Sequence, residues 1–273
     1  MPTPSLALAD TLAAVATTID HPADPRVADY VRMTDAELRR TSGSFLLEGR
    51  LVLERAVAAG VTLRSALVAA GRLAAVAPIL EGIDVPVYVA TQPVLDAIAG
   101  FPIHRGIVAA AERPAEPDPL DTIAGHATIA ALEGVNDAEN LGAIFRNAVA
   151  FGIGAVLLDP TSADPLYRRA VRVSLGHVLA VPFARLSAWP GPLESVTAAG
   201  FTVAALTPAG TTSVRDVADI ERVCFLLGAE GSGLTRAALD AADLHVRIPM
   251  AAGVDSLNVA TAAAIAFHHR MPG

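Results

Sequence analysis

Apolar and polar positions along the chain fall into blocks that switch between two periods. Short unbroken apolar runs between turn residues read as buried strands, and apolar residues at i, i+3, i+4 and i+7 read as helices with one face inward. In the first part, residues 44–48, 63–69 and 85–90 read as strands. Helices are predicted over 35–40 with Thr34 as cap, over 49–59 with Gly60 as the stop, near 73–80, and over 93–99 behind Thr91. Residues 5–19 are apolar but interrupted by Asp10, which predicts a frayed or helical tail. The second part repeats the alternation more strongly, with apolar runs at 127–132, 155–159, 179–183, 201–206, 222–227 and 245–248. Helical patterns between most of these runs predict a parallel sheet with helices on both faces. No solenoid-type repeat is visible.

Three prolines alternate with small or acidic residues at Pro114, Pro117 and Pro119, a composition that favours an extended, semi-rigid segment. The chain is therefore expected to divide into a tail over 1–20, a smaller α/β sandwich over 21–113, a linker over 114–123 and a larger α/β domain over 124–273. With 53% apolar and 18% charged residues, disorder is excluded as a description of the whole. The single cysteine, Cys224, rules out a disulfide framework and a cysteine zinc site. All 20 basic residues are arginine. Lysine Schiff bases and a phosphate loop of the lysine type are thereby excluded. The net charge of −8 argues against a broad electrostatic grip on nucleic acid. No segment reads as a membrane span or a leader, so a cytoplasmic protein is expected.

Ligands gather at the carboxyl ends of strands in open α/β sheets, and three such ends are unusual here. After the first run of the second part comes Leu132-Glu-Gly-Val-Asn-Asp-Ala-Glu-Asn140 and then a helix beginning near Asn140. Its apolar stripe is Leu141, Ile144, Phe145 and Ala148, and Arg146 lies off that stripe. The second is Gly228-Ala-Glu-Gly-Ser-Gly-Leu234, three glycines around Glu230. Its spacing matches neither the dinucleotide fingerprint nor the Walker pattern. The third runs from Arg247-Ile-Pro-Met250 to Ser256-Leu-Asn-Val259 and an Ala-rich helix, with Ser256 or Asp255 as the expected cap. The bland alternatives are a solvated helix-face arginine for the first and an ordinary tight turn for the second, and each segment alone is weak. Adjacent His268 and His269 diverge on a helix and read as an unremarkable helix end.

Taken together and in this order, the three segments resemble the signature motifs of the SpoU/TrmH family of RNA ribose 2′-O-methyltransferases, within the SPOUT superfamily. Asn140-Leu-Gly142, Arg146-Asn-Ala148 and Phe151-Gly152 look like its first motif, Gly228-Ala-Glu-Gly231 with Gly233-Leu234 its second, and Ile248-Pro-Met250 with Ser256-Leu-Asn-Val259 its third. One departure is visible: the third motif usually has Gly two residues after Met, where this chain has Ala252 and then Gly253. The match covers roughly residues 126–269. The first part, through Phe45-Leu-Leu-Glu-Gly49 and Phe101-Pro-Ile-His-Arg-Gly106, is similar to an L30e-like substrate-binding domain.

The resemblance implies a SPOUT domain with a parallel sheet and a deep trefoil knot, using S-adenosyl-L-methionine and no metal. Thr207, Gly228, Ile248, Met250 and Leu257 are then the cofactor candidates. Arg146, Asn140, Glu230, Ser256 and Asn258 are the catalytic candidates, with Arg146 acting near the target phosphate. A homodimer completing the site is implied. RNA contact is assigned to Arg39, Arg40, Arg105, Arg168, Arg169 and Arg172, since an acidic chain must bind phosphates locally. Structured ribosomal RNA (23S) is the leading substrate and tRNA the alternative. From other classes, a catalytically silent RNA-binding assembly factor is opposed by the intact polar set, and a Rossmann dehydrogenase by the missing fingerprint.

Overall fold

A computed structural model describes residues 4–31 and 42–271. The predicted helix over 35–40, and with it Arg39 and Arg40, lies outside the described residues. The chain forms two compact units: Met1–Pro114 together with Leu166–Leu179, and Ala115–Pro165 together with Ala180–Gly273. The second unit is therefore not continuous in sequence, as residues 124–273 had been expected to be. Its chain leaves after Pro165 and returns at Ala180.

The first unit carries a five-stranded mixed sheet. Its strands are β1 (Thr17–Ile19), β2 (Ser44–Glu48), β3 (Leu63–Ala69), β4 (Val87–Ala90) and β5 (Ile107–Glu112), in the order β1-β4-β3-β5-β2. Among the described residues up to Pro114, its α-helices are α1 (Pro4–Val15), α2 (Arg50–Ala58), α3 (Leu73–Leu80) and α4 (Gln92–Ala99). The stretch expected to be a frayed or helical tail is helical over Pro4–Val15 but ends in an edge strand, because Thr17–Ile19 pairs in parallel with Tyr88–Ala90 and buries Ile19. A cluster of Ile19, Val27, Leu46, Leu67, Leu95 and Ile98 fills one face. At Ser65 the β3–β5 register shifts. There the Tyr30 hydroxyl, buried with its ring, lies 2.6 Å from Ser65 Oγ and accepts from the Ala110 amide at 3.3 Å. The phenol satisfies a ladder at its irregular point, and burial holds its pKa above the usual range.

The second unit carries seven parallel strands. They are β6 (Thr128–Glu133), β7 (Ala155–Leu158), β8 (Phe183–Arg185), β9 (Thr202–Leu206), β10 (Thr212–Ser213), β11 (Val223–Gly228) and β12 (Leu244–Arg247). The order is β10-β12-β9-β11-β6-β7-β8. Its helices are α5 (Pro119–Ile123) before β6, α6 (Ala138–Ala150), α8 (Leu193–Ala198) and α9 (Arg236–Asp240) between strands, and α10 (Val259–His268) after β12. The helix α7 (Arg168–Val173) also falls between β7 and β8 in sequence, but it packs on β2 of the first unit. The parallel sheet is buried on both faces, which is why its strands read as unbroken apolar runs. Ile129, Leu157, Val203 and Leu226 share a core with Leu193 and Val196 of α8. Phe225 meets Phe267 of α10, and Phe145 of α6 meets Phe183 edge-on.

Two expected elements shifted. The run at 179–183 becomes a 3-10 turn, His177–Leu179, followed by a strand that starts only at Phe183. Pro182 has no amide to donate, and its carbonyl accepts the first bond, from Val156. The second half of the 114–123 linker is the helix α5, because Asp118 caps the Leu120 and Asp121 amides and Pro119 takes the first helical position. β12, laid down late in the chain, lies between the earlier β9 and β10. The β9–β10 connection passes so close to it that a Cβ on Gly210 would sit 2.6 Å from the Val246 carbonyl carbon.

Replacing Tyr30 by Phe removes the hydroxyl and leaves the Ala110 amide without it. We expect urea denaturation to show a loss of about 1–3 kcal/mol; unchanged stability would show that the phenol is dispensable.

Candidate active site

The carboxyl ends of β6, β9, β11 and β12 and the loops beyond them form one region of the second unit. A cavity of about 710 Å³ opens there. All five cofactor candidates line it: Thr207, Gly228, Ile248, Met250 and Leu257. Apolar side chains of Leu206, Leu227, Leu234 and Leu239 complete much of its wall, and the Gly228–Gly233 main chain supplies polar groups.

The glycine loop is built tightly. A Cβ on Gly228 would stand 2.4 Å from the Gly233 carbonyl carbon and from the Leu234 nitrogen, so only glycine fits. The Gly233 amide donates to the Ala229 carbonyl at 3.0 Å, closing the loop on itself. Gly231 and Gly233 have φ of +87° and +66°, in the left-handed region. Glu230 is thereby carried on an exposed turn of constrained backbone.

Three segments distant in sequence meet at Asn258. Its side-chain amide donates to Asn140 Oδ1 at 2.8 Å and to Glu230 Oε1. Its Oδ1 accepts from the Thr261 amide at 3.1 Å, which makes Asn258 the cap of α10. The expected caps, Ser256 and Asp255, stand two and three residues before Asn258; both line the cavity instead. Likewise α6 begins at Ala138, capped by Asp137, rather than at Asn140. Asn140 is therefore a first-turn residue of α6, facing α10. The two helices pack through small residues, with Gly142 and Ala148 buried on one and Ala260 and Ala263 on the other. The Asn147 amide donates to the Ala260 carbonyl at 2.9 Å.

Arg146 is exposed on α6, forms no hydrogen bond or ion pair with a described residue, and does not line the cavity. Ser256 lines the cavity but stands outside the Asn140–Glu230–Asn258 set. Three of the described RNA candidates, Arg105, Arg168 and Arg172, gather around Glu48 and Gly49 in the first unit. Arg168 lies 3.9 Å over the Phe101 ring, and it and Arg172 flank buried Glu48 at 4.0 and 3.7 Å. Arg105 lies exposed across Gly49, and Arg169 is exposed on α7.

Two buried carboxylates near the site escaped the sequence reading. Glu133, at the end of β6, accepts from Trp189 and Thr235. Asp159, just past β7, accepts from the Gly134 amide at 3.0 Å, from the Ser162 amide and hydroxyl at 2.7 and 2.6 Å, and from the Thr161 hydroxyl. Ser162 Oγ in turn accepts from the Val135 amide at 3.1 Å, so Asp159 braces the loop that leads to Asn140. The only available signal was an acidic residue directly after an apolar strand.

Comparison with known proteins follows the same segments. The profile of the SpoU rRNA Methylase family matches residues 127–268. An uncharacterized tRNA/rRNA methyltransferase of Mycobacterium tuberculosis is 46% identical over 257 residues, 91% of this chain and 89% of that one. A 23S rRNA (guanosine-2′-O-)-methyltransferase, RlmB, from a Burkholderia species is 34% identical over 175 residues, 63% of this chain and 71% of its own. Among solved structures, the AdoMet-bound rRNA methyltransferase of Sinorhizobium meliloti superposes with a TM-score of 0.81 at 28% identity, covering 93% of this chain and 97% of that one.

Burial pushes the Asp159 carboxyl up, but the hydrogen bonds from Ser162, Thr161 and Gly134 outweigh it and hold its pKa below the usual 3.8. A depressed native pKa gives stability that is complete above the unfolded value and lost as pH falls through the native one. We expect Asp159→Asn to cost about 1–3 kcal/mol at pH 7 and to flatten the fall in stability at acid pH. Urea denaturation across the acid range checks this; parallel pH profiles for the two proteins would refute it.

Proposed function

The chain belongs to the SpoU rRNA methylase family, and from that premise we propose that it methylates a ribose 2′-hydroxyl of structured RNA, with ribosomal RNA, 23S in particular, as substrate. The observation that carries the reading is the junction at Asn258, where the three motif segments meet beside the cavity. The S-adenosylmethionine donor fits the residues present. The volume suits a nucleoside-sized ligand. Ile248, Met250 and Leu257 offer apolar surface for a purine and for methylene groups, and the glycine loop offers main-chain groups for polar edges. When bound, the donor supplies a methyl group on a positively charged sulfur, already an activated electrophile.

The remaining task is to orient a weakly acidic hydroxyl and stabilise the charge it develops. Arg146 suits the second role. A guanidinium stays protonated, so it acts as a fixed cation beside a phosphate and a forming alkoxide rather than as a base. Asn140, Glu230 and Asn258 hold the loops in register, and Ser256 lies where a substrate polar group would come. Arg146 stands off its own cavity, which supports a homodimer in which it serves the cavity of a second copy. The exposed Val149 on α6, 36% accessible, fits such a contact.

The preference for ribosomal RNA over tRNA is supported by the Sinorhizobium rRNA enzyme, whose likeness extends over nearly the whole chain, first unit included. That unit then selects the target, as an L30e-like domain would, with Arg105 as an exposed phosphate contact and Arg39, Arg40 and Arg169 as further candidates. Arg168 and Arg172 contribute less freely, because Glu48 offsets their charge. A knot at the carboxyl end is consistent with β12 lying between β9 and β10 and with the closeness of Gly210 to its backbone.

Mapping ribose methylation in total RNA from a strain lacking the gene is the test. The expected result is loss of a 2′-O-methyl group in ribosomal RNA; loss in tRNA alone would move the substrate there, and no loss would refute the proposal. With the purified protein, Arg146→Ala should lower methyl transfer by ~10²-fold or more while S-adenosylmethionine affinity by calorimetry stays nearly unchanged. Normal turnover in that variant would remove Arg146 from the chemistry.

A further inference from the structure

Glu133 takes no part in the chemistry described, yet the glycine loop is fastened to it twice. Its main chain pairs with Gly228 at the end of the β6–β11 ladder. Its side chain, only 5% exposed, reaches across the far end of the same loop. There Oε2 accepts from the Thr235 amide at 2.8 Å, and Oε1 accepts from the Thr235 hydroxyl at 2.7 Å. The same Oε1 accepts from the Trp189 indole N–H at 2.6 Å. Thr235 also caps α9, its hydroxyl accepting from the Ala238 amide at 3.2 Å.

We propose that Glu133 is the positioning residue of the methyl-donor loop, holding residues 228–235 at both ends, and that Trp189 reports its state. The proposal rests on the donor reading above and deepens it. The span between the two fastenings is held at its base, while its tip at residues 230–233 is exposed. It is cross-bonded from Gly233 to Ala229 and packed at Gly228 to the exclusion of any Cβ. Filling the cavity against Gly228 and Leu234 therefore loads the Glu133 carboxylate, and the load reaches the indole through a shared oxygen. Trp189 is the chain's only tryptophan, so its emission is unmixed. The chemistry of the contact calls for a carboxylate. All three donors are neutral N–H or O–H groups that need acceptors. A glutamine there has one acceptor oxygen and would set its NH2 against the Thr235 N–H or the indole.

The test uses the full-length protein and S-adenosylhomocysteine as probe, with binding by calorimetry and Trp189 emission followed in parallel. Wild-type protein should bind with a saturable emission change that tracks occupancy. Glu133→Gln should bind about tenfold or more weakly and show an emission already displaced before ligand is added. Wild-type binding with silent Trp189 emission overturns the proposal without needing any variant, and so does wild-type affinity in a folded Glu133→Gln. Absence of calorimetric binding to the wild type overturns the donor reading itself and this proposal with it, an outcome distinct from the other two.

Discussion

One side-chain amide joins the working parts of the second unit. Asn258 can donate two hydrogen bonds and accept at its oxygen, and it uses both capacities: outward to Asn140 and Glu230, inward to the Thr261 amide that starts α10. Because the inward bond caps a helix, the outward bonds have a fixed origin. The Ala-rich helix that follows is held to α6 by small residues and by the Asn147 bond to Ala260. A hydroxyl or carboxylate at this position could cap the helix, but neither could donate to an amide oxygen and a carboxylate at once. The residue type at 258 thus follows from three demands made on one side chain.

The strands were legible because a doubly covered parallel sheet needs unbroken apolar runs, and most predicted strands fall within a residue or two of the observed ones. The misses have particular causes. Leu179 and Val181 look like strand residues, but Pro182 denies the ladder an amide and delays β8. Thr17–Ile19 is too short to show a period and becomes a strand only through pairing with β4. Leu166–Leu179 reads as part of the second domain because covalent continuity is all that sequence shows; its packing on β2 depends on Ala170 and Val171 finding an apolar surface elsewhere in the fold.

At the site, the motif residues were visible as types and spacings, while their partnerships were not. Ser256 and Asn258 are equally good caps by composition. The difference lies in where the loop ends, which is set by Asn140 and Glu230, each more than 25 residues away in sequence. Glu133 and Asp159 were hidden for a related reason. A carboxylate directly after a strand reads as the start of a solvated loop, and only the tertiary structure turns amide and hydroxyl donors toward it. Buried acids satisfied by neutral donors leave no charge pattern in the sequence to mark them.

The arginines resolve the apparent conflict between an acidic chain and an anionic substrate. Several are occupied with the protein's own backbone. Arg185 donates to the Asp159, Ser162 and Ala163 carbonyls, Arg222 to His126 and Ala199, and Arg270 to Thr128 and the carbonyls beyond β10. A planar guanidinium suits this work, since it satisfies several carbonyls from one position. Arg146 is placed differently from these three. It is exposed on a helix and has no hydrogen-bond or ion-pair partner among the described residues, so in the proposed role no ion pair has to be broken before it meets a phosphate. A cation kept unpaired and fixed is preorganised for charge that arrives only with the substrate. Net charge therefore says little about RNA recognition here; what matters is where the fold puts the positive charges that its own acceptors do not occupy.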